Sequence, residues 1–202
     1  MNSIFNSPAD TIRANMKGAE TKGNLSLGRM ILLGLLAGAF IALGAATSST
    51  AAHGIENVGI ARLVSGVIFP VGLMLIVICG GELFTGNCLM GMAALNRQIF
   101  WGKVVRNLVV VWLSNFAGAL VIAFIVFMSG NFNYSSGELG AYTIKVALGK
   151  AELGFGTAFF SGILCNMLVV LACWFQAGAK SMAGKIFAVW FPPGIVKALG
   201  NT

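Results

Sequence analysis

Charge is what this sequence has least of. Only 9% of its 202 residues are charged, 6 acidic and 13 basic, with a single histidine, where a soluble domain carries roughly 25% charged residues. So few charges cannot cover a globule with polar surface, and the bilayer must act as solvent for a chain that is 57% hydrophobic with a mean hydropathy of +0.88. The same scarcity excludes most chemistry. No His/Cys/Asp/Glu cluster has metal spacing, no Ser-His-Asp set has a credible place, and no glycine loop suits a phosphate, so an enzyme is not expected and no cofactor is implied. Cys79, Cys88, Cys165 and Cys173 form no CxxC pair and lie in or beside apolar segments, which reads as buried thiols rather than ligands or disulfides. No secretory signal is visible: the first 28 residues are polar, and the apolar run from Arg29 is too long for a signal core. The net charge of +7 is scattered through loops, a topology signal rather than a nucleic-acid surface.

What is present is a series of apolar runs of membrane length. Residues 1–28 form a polar, helical cytoplasmic lead. A transmembrane region follows over 29–192, with spans at about 29–51, 61–79, 104–128, 155–177 and 182–192, and residues 193–202 form a divergent tail. The second span breaks over 80–87 and resumes over 88–95. A long polar connection with Glu138, Lys145, Lys150 and Glu152 joins the third span to the fourth. Gly34 and Gly38 make a GxxxG step that admits a close neighbouring helix. Nine Lys or Arg residues fall on the side of the N-terminus and three (Arg62, Lys145, Lys150) on the other. That bias places the N-terminus in the cytoplasm and the protein in the inner membrane as a multi-pass chain.

Gly66-Val67-Ile68-Phe69-Pro70-Val71-Gly72 in the second span matches Ala188-Val189-Trp190-Phe191-Pro192-Pro193-Gly194 in the fifth. The fifth span lies three spans after the second, an odd offset, so the copies face opposite ways, as inverted repeats do. The most informative stretch is Gly80–Asn87. Non-helical backbone at membrane depth persists only inside protein or along a wet cavity. Gly80, Gly81 and Gly86 permit the turns, and Glu82, Thr85 and Asn87 supply polar groups. An intramembrane carboxylate is a functional or structural anchor by default. Taken alone, the stretch also fits an ordinary inter-helix loop with Glu82 at the surface.

Val77-Ile78-Cys79-Gly80-Gly81-Glu82-Leu83-Phe84-Thr85-Gly86-Asn87 resembles the first signature of the formate/nitrite transporter family, and Gly162-Ile163-Leu164-Cys165-Asn166-Met167-Leu168-Val169-Val170-Leu171-Ala172 resembles its second. The resemblance covers residues 5–192. It implies an all-α, aquaporin-like inverted-repeat bundle with a broken second helix and an incomplete second repeat. It further implies a homopentamer in which each protomer conducts a small monovalent anion, formate first, with nitrite or hydrosulfide as alternatives, passively or coupled to protons. By position, Thr85 lines the pore with Leu83 and Phe84, and Phe69 and Leu73 narrow it from the second helix. Asn166 faces it from the fourth, and Lys150 attracts anions at the outer vestibule. The residue types suit these places. A threonine hydroxyl donates without charge, apolar rings gate by excluding water, and a lysine focuses anions. Without the motif, Phe69 and Leu73 read as core, Lys150 as a loop charge and Asn166 as an interhelical hydrogen bond. His53 reads as a solvated loop residue.

The family's fifth helix carries a Gly-Phe-Glu-His break with a central pore histidine, and this chain departs from that pattern after Pro192. It ends Pro193-Gly194-Ile195-Val196-Lys197-Ala198-Leu199-Gly200-Asn201-Thr202, without that histidine or a sixth helix. The departure raises the expectation of a truncated, non-conducting membrane subunit as the alternative function. A water or glycerol channel needs paired Asn-Pro-Ala motifs, and none is present.

Overall fold

The computed structural model describes residues 4–198, with Val196 and Ala198 described by their backbone alone. Residues 1–3 of the expected lead and 199–202 of the expected tail lie outside the described residues. The lead is helical, as expected: α1 (Pro8–Gly23) starts on Ser7, whose side chain accepts from the Asp10 amide, with Pro8 in the first turn. Such a start satisfies a free amide and uses a proline where its missing N–H costs nothing.

Among the described residues, four helical stretches are long and apolar enough to cross a bilayer. They are α2 (Leu27–Ala52), the pair α3 (Val58–Ile68) and α4 (Val71–Cys79), α7 (Trp101–Met128) and α9 (Phe155–Gly178). Each overruns its expected span by one to three residues at one or both ends. Between α3 and α4, Pro70 has no N–H to continue the ladder, and the chain tightens through a Gly72 N–H to Phe69 carbonyl bond of 3.1 Å. Gly44 of α2 fits against that kink: a Cβ on it would lie 2.8 Å from the Phe69 carbonyl oxygen.

Two expectations need correction. The break after α4 is shorter than 80–87: only Gly80–Leu83 is non-helical, and Phe84–Asn87 already forms α5, followed by α6 (Met90–Leu95). Interior hydrogen bonding decides this, since Asn87 N–H reaches back to the Leu83 carbonyl at 2.9 Å. The fifth span does not stop at 192. Helix α10 (Met182–Ala198) runs through Pro192 and Pro193 into what was expected to be tail. Two prolines remove two helix donors, which a helix tolerates where its neighbours hold it. Here Gly194 packs on the Gly66 backbone and Trp190 Nε1 donates to the Val67 carbonyl at 2.9 Å. The two matched heptapeptides therefore pack against each other.

The connection after α7 is more ordered than a polar linker. Irregular turns over Asn131–Gly137 lead into α8 (Glu138–Ala151). His53 anchors this segment rather than facing solvent alone. Its Nδ1 lies 2.7 Å from the Thr50 carbonyl, its Nε2 lies 2.9 Å from Ser135 Oγ, and its ring meets Tyr134 edge-on.

The closest packing joins α2 to α7. A Cβ on Gly38 would overlap the Asn115 backbone, one on Gly118 would overlap the Leu35 carbonyl, and one on Gly34 would lie 2.6 Å from Ser114 Cβ. The GxxxG step thus does what its spacing implied. Polar connections fall on two opposite ends of the bundle. Asn6 bonds the Gly178 and Ala177 carbonyls, and Lys103 reaches Asn24, so α1 sits at one end. The His53 anchor and α8 sit at the other.

Candidate functional site

The four non-helical residues 80–83 are positioned by partners far away in sequence. Gly80 turns the chain at φ +84°, open to glycine and strained for a side chain. The Glu82 N–H donates to the Leu33 carbonyl at 3.1 Å. Asn115 on α7 does the rest: its Oδ1 accepts from the Phe84 N–H at 3.0 Å, and its Nδ2 donates to the carbonyls of Glu82 and Gly34, both at 2.8 Å. One side chain thereby pairs the backbone on both sides of Leu83.

A second set of polar groups holds the carboxylate. Glu82 is 7% exposed and Asn87 and Asn107 are each 1% exposed. Lys22 Nζ lies 2.9 Å from Glu82 Oε1 and 2.8 Å from Asn87 Oδ1. Asn87 Nδ2 donates to Glu82 Oε2 at 2.6 Å and to Asn107 Oδ1 at 2.7 Å. Asn107 closes the set by donating to the Lys22 carbonyl at 3.3 Å. A charge is sustained in such a place only when paired and hydrogen-bonded on its remaining lone pairs, and Glu82 meets that requirement. It is a buried anchor, not a surface loop carboxylate.

Two cavities approach this segment from opposite ends. The larger, about 610 Å³, is bounded by Phe69, Leu73, Leu83 and Thr85 at its inner end and by Lys150 and Lys197 among the remaining lining. The smaller, about 400 Å³, lies under α1 and is lined by Lys22, Gly80, Gly81, Glu82, Gly86 and Asn87. Leu73 and Leu83 line both. These two side chains therefore form a shared wall between chambers facing opposite ends of the bundle. Beside that wall, the Thr85 hydroxyl is buried with no hydrogen-bond partner among the described residues.

The structure thus brings Phe69, Leu73, Leu83, Thr85 and Lys150 to one cavity, and the loop glycines, Glu82 and Asn87 to the other. It does not bring Phe84 or Asn166 to either lining. The Phe84 amide is turned to Asn115. Asn166 Oδ1 on α9 is buried and without a hydrogen-bond partner among the described residues, next in sequence to Cys165 of the cavity wall. Four residues that matter here were not singled out from sequence: Lys22, Asn107, Asn115 and Lys197. The asparagines had a signal. Asn107, Val111, Ser114 and Gly118 are all buried, a helical stripe that carries an amide, with Asn115 beside it on an otherwise apolar helix. Among the described residues no three His, Cys, Asp or Glu side chains gather to hold a metal ion.

Apolar helices of membrane length and two chambers meeting at an apolar wall define the class: a multi-pass membrane protein of channel or transporter type. The formate/nitrite transporter family model matches residues 9–202, and the chain belongs to that family. Among curated relatives, a probable formate transporter of Methanothermobacter thermautotrophicus is 37% identical over 99% of this chain and 80% of its own length. The formate channel FocA of Haemophilus influenzae is 32% identical over 99% of this chain and 71% of its own. Of solved structures, an FNT family ion channel superposes with a TM-score of 0.85 at 26% identity, covering 95% of this chain and 77% of that one. A pentameric formate channel with formate bound superposes at 0.78 with 29% identity, over 87% and 70% respectively. The family consists of channels and transporters, not enzymes.

Proposed function

We propose that this chain conducts small monovalent anions, formate first, across the cytoplasmic membrane. The observation that carries the reading is the pair of opposed cavities separated by Leu73 and Leu83, with the unpartnered Thr85 hydroxyl beside the wall. An apolar constriction strips water from an ion and gates by drying. A buried hydroxyl without a partner is costly, and an anion passing the wall would satisfy it. Lys150, which lines the larger chamber, suits a negative permeant. Phe69 narrows the larger chamber, while Phe84 and Asn166 act from behind the lining, and the Gly80–Asn87 segment is the frame of the constriction. Nitrite and hydrosulfide share the size and charge of formate and are secondary substrates, moving passively or with a proton.

In this reading the N-terminus and α1 face the cytoplasm, as the Lys/Arg bias requires. The protomers form a homopentamer of aquaporin-like outline, supported by the likeness to the pentameric formate channel. The test is reconstitution of the full chain into liposomes under an inward formate gradient, followed by light scattering. Swelling faster than in empty vesicles is expected. A rate equal to that of empty vesicles overturns the proposal.

A further inference from the structure

Lys197 stands on α10 beyond Pro193, in the stretch where the sequence departs from the family pattern, and it lines the larger cavity. Its ammonium lies 5.3 Å from the centroid of the Phe69 ring. Among the described residues the salt bridges are Arg13–Asp10 and Lys22–Glu82, and neither involves Lys197. The cavity lining holds no Asp or Glu among the described residues. A ring face offsets only part of the water an ammonium loses in an apolar chamber. Among the described residues the chamber therefore contains a cation without a counter-charge and, beside the leucine wall, a buried hydroxyl without a partner. Both deficits are met by one kind of ligand, a small anion with two acceptor oxygens.

We propose that Lys197 is an anion-binding residue of this cavity, supplying the charge that holds a small carboxylate where Thr85 supplies a neutral donor. The inference rests on the anion-conduction reading and adds to it a binding residue that no motif assigns. Lys197 leaves the Phe69 ring for the carboxylate when one is present, so occupancy of the cavity and the Lys197–Phe69 contact are mutually exclusive.

The test is formate titration of the detergent-solubilised full chain at constant ionic strength set with sulfate, read as stabilisation against heat, for wild type, Lys197→Gln and Lys197→Arg. Formate should stabilise the wild type. Lys197→Gln should raise the apparent Kd by about tenfold or more, as for loss of a desolvated charge contact, and Lys197→Arg should restore most of the affinity. Equal formate affinity in wild type and Lys197→Gln overturns the inference and leaves the conduction reading standing. Liposome flux without measurable formate stabilisation does the same. A Lys197→Gln variant that conducts faster at unchanged affinity also overturns it, because Lys197 is then a plug held on Phe69. Absence of both flux and stabilisation in the wild type overturns the conduction reading itself.

Discussion

Asn115→Leu removes the side chain that pairs the backbone on both sides of Leu83 while keeping its branched shape. Three hydrogen bonds are lost, from the Phe84 N–H and to the Glu82 and Gly34 carbonyls. Side-chain hydrogen bonds inside membrane proteins average about 0.6 kcal/mol each, so the direct loss is about 2 kcal/mol. The Phe84 N–H then has no partner, and an orphaned buried donor adds about 1–3 kcal/mol. The Gly34 carbonyl adds little, since it sits within the α2 ladder. The expected destabilisation is about 3–5 kcal/mol, which at about 2–4 °C per kcal/mol lowers Tm by roughly 6–20 °C. Thermal unfolding in detergent measures the shift, and hydrogen exchange over residues 80–88 localises it, with faster exchange at the Phe84 amide. Asn115→Asp should recover only the Phe84 bond. A Tm within 2 °C of wild type, with unchanged protection at Phe84, would refute the claim that α7 holds the break in place; the threshold is the shift of about 1 kcal/mol.

Thr85→Val keeps the shape at the wall and deletes the hydroxyl, so formate flux in liposomes should fall with assembly intact; unchanged flux and selectivity remove Thr85 from the site. Lys22→Met leaves Glu82 with Asn87 as its remaining side-chain partner. Because Lys22 is 31% exposed, the cost should be about 2 kcal/mol, under the 3–5 kcal/mol of a fully buried pair, and Lys22→Met combined with Glu82→Gln should recover part of it in a thermal double-mutant cycle. Gly38→Val places a methyl-bearing carbon into the Asn115 backbone; loss of monodisperse protein on size exclusion is the expected outcome, and a stable wild-type elution profile argues against close α2–α7 docking.

Apolar length made the membrane spans legible, because a run of about 20 apolar residues has few other uses. The small-residue step on α2 was legible for a similar reason: glycines four apart leave a groove whatever fills it. The interruption at Gly80 was legible from glycine and carboxylate in an apolar run, and the family motif placed Thr85 beside it. Its true length was not, because Phe-Thr-Gly-Asn has little intrinsic helix preference and is helical only while its neighbours hold it. Helix α8 carried a readable signal that a polar composition obscured: Leu139, Thr143, Val146 and Lys150 recur at helical spacing and all line one cavity.

The amino-acid sequence alone determined that this protein lives in a bilayer, where its helices lie and that one of them is interrupted. These follow from local hydrophobicity and from glycine, which act over a few residues. Only the tertiary structure decided what holds the interruption in place. Its partners Lys22, Leu33 and Asn115 come from α1, α2 and α7, and local pattern carries no information on which distant amide will meet which carbonyl. Likewise Pro192-Pro193 signals a helix end by local chemistry, yet packing of Gly194 on Gly66 keeps α10 helical. That continuation carries Lys197 into the cavity and sets its ammonium over Phe69.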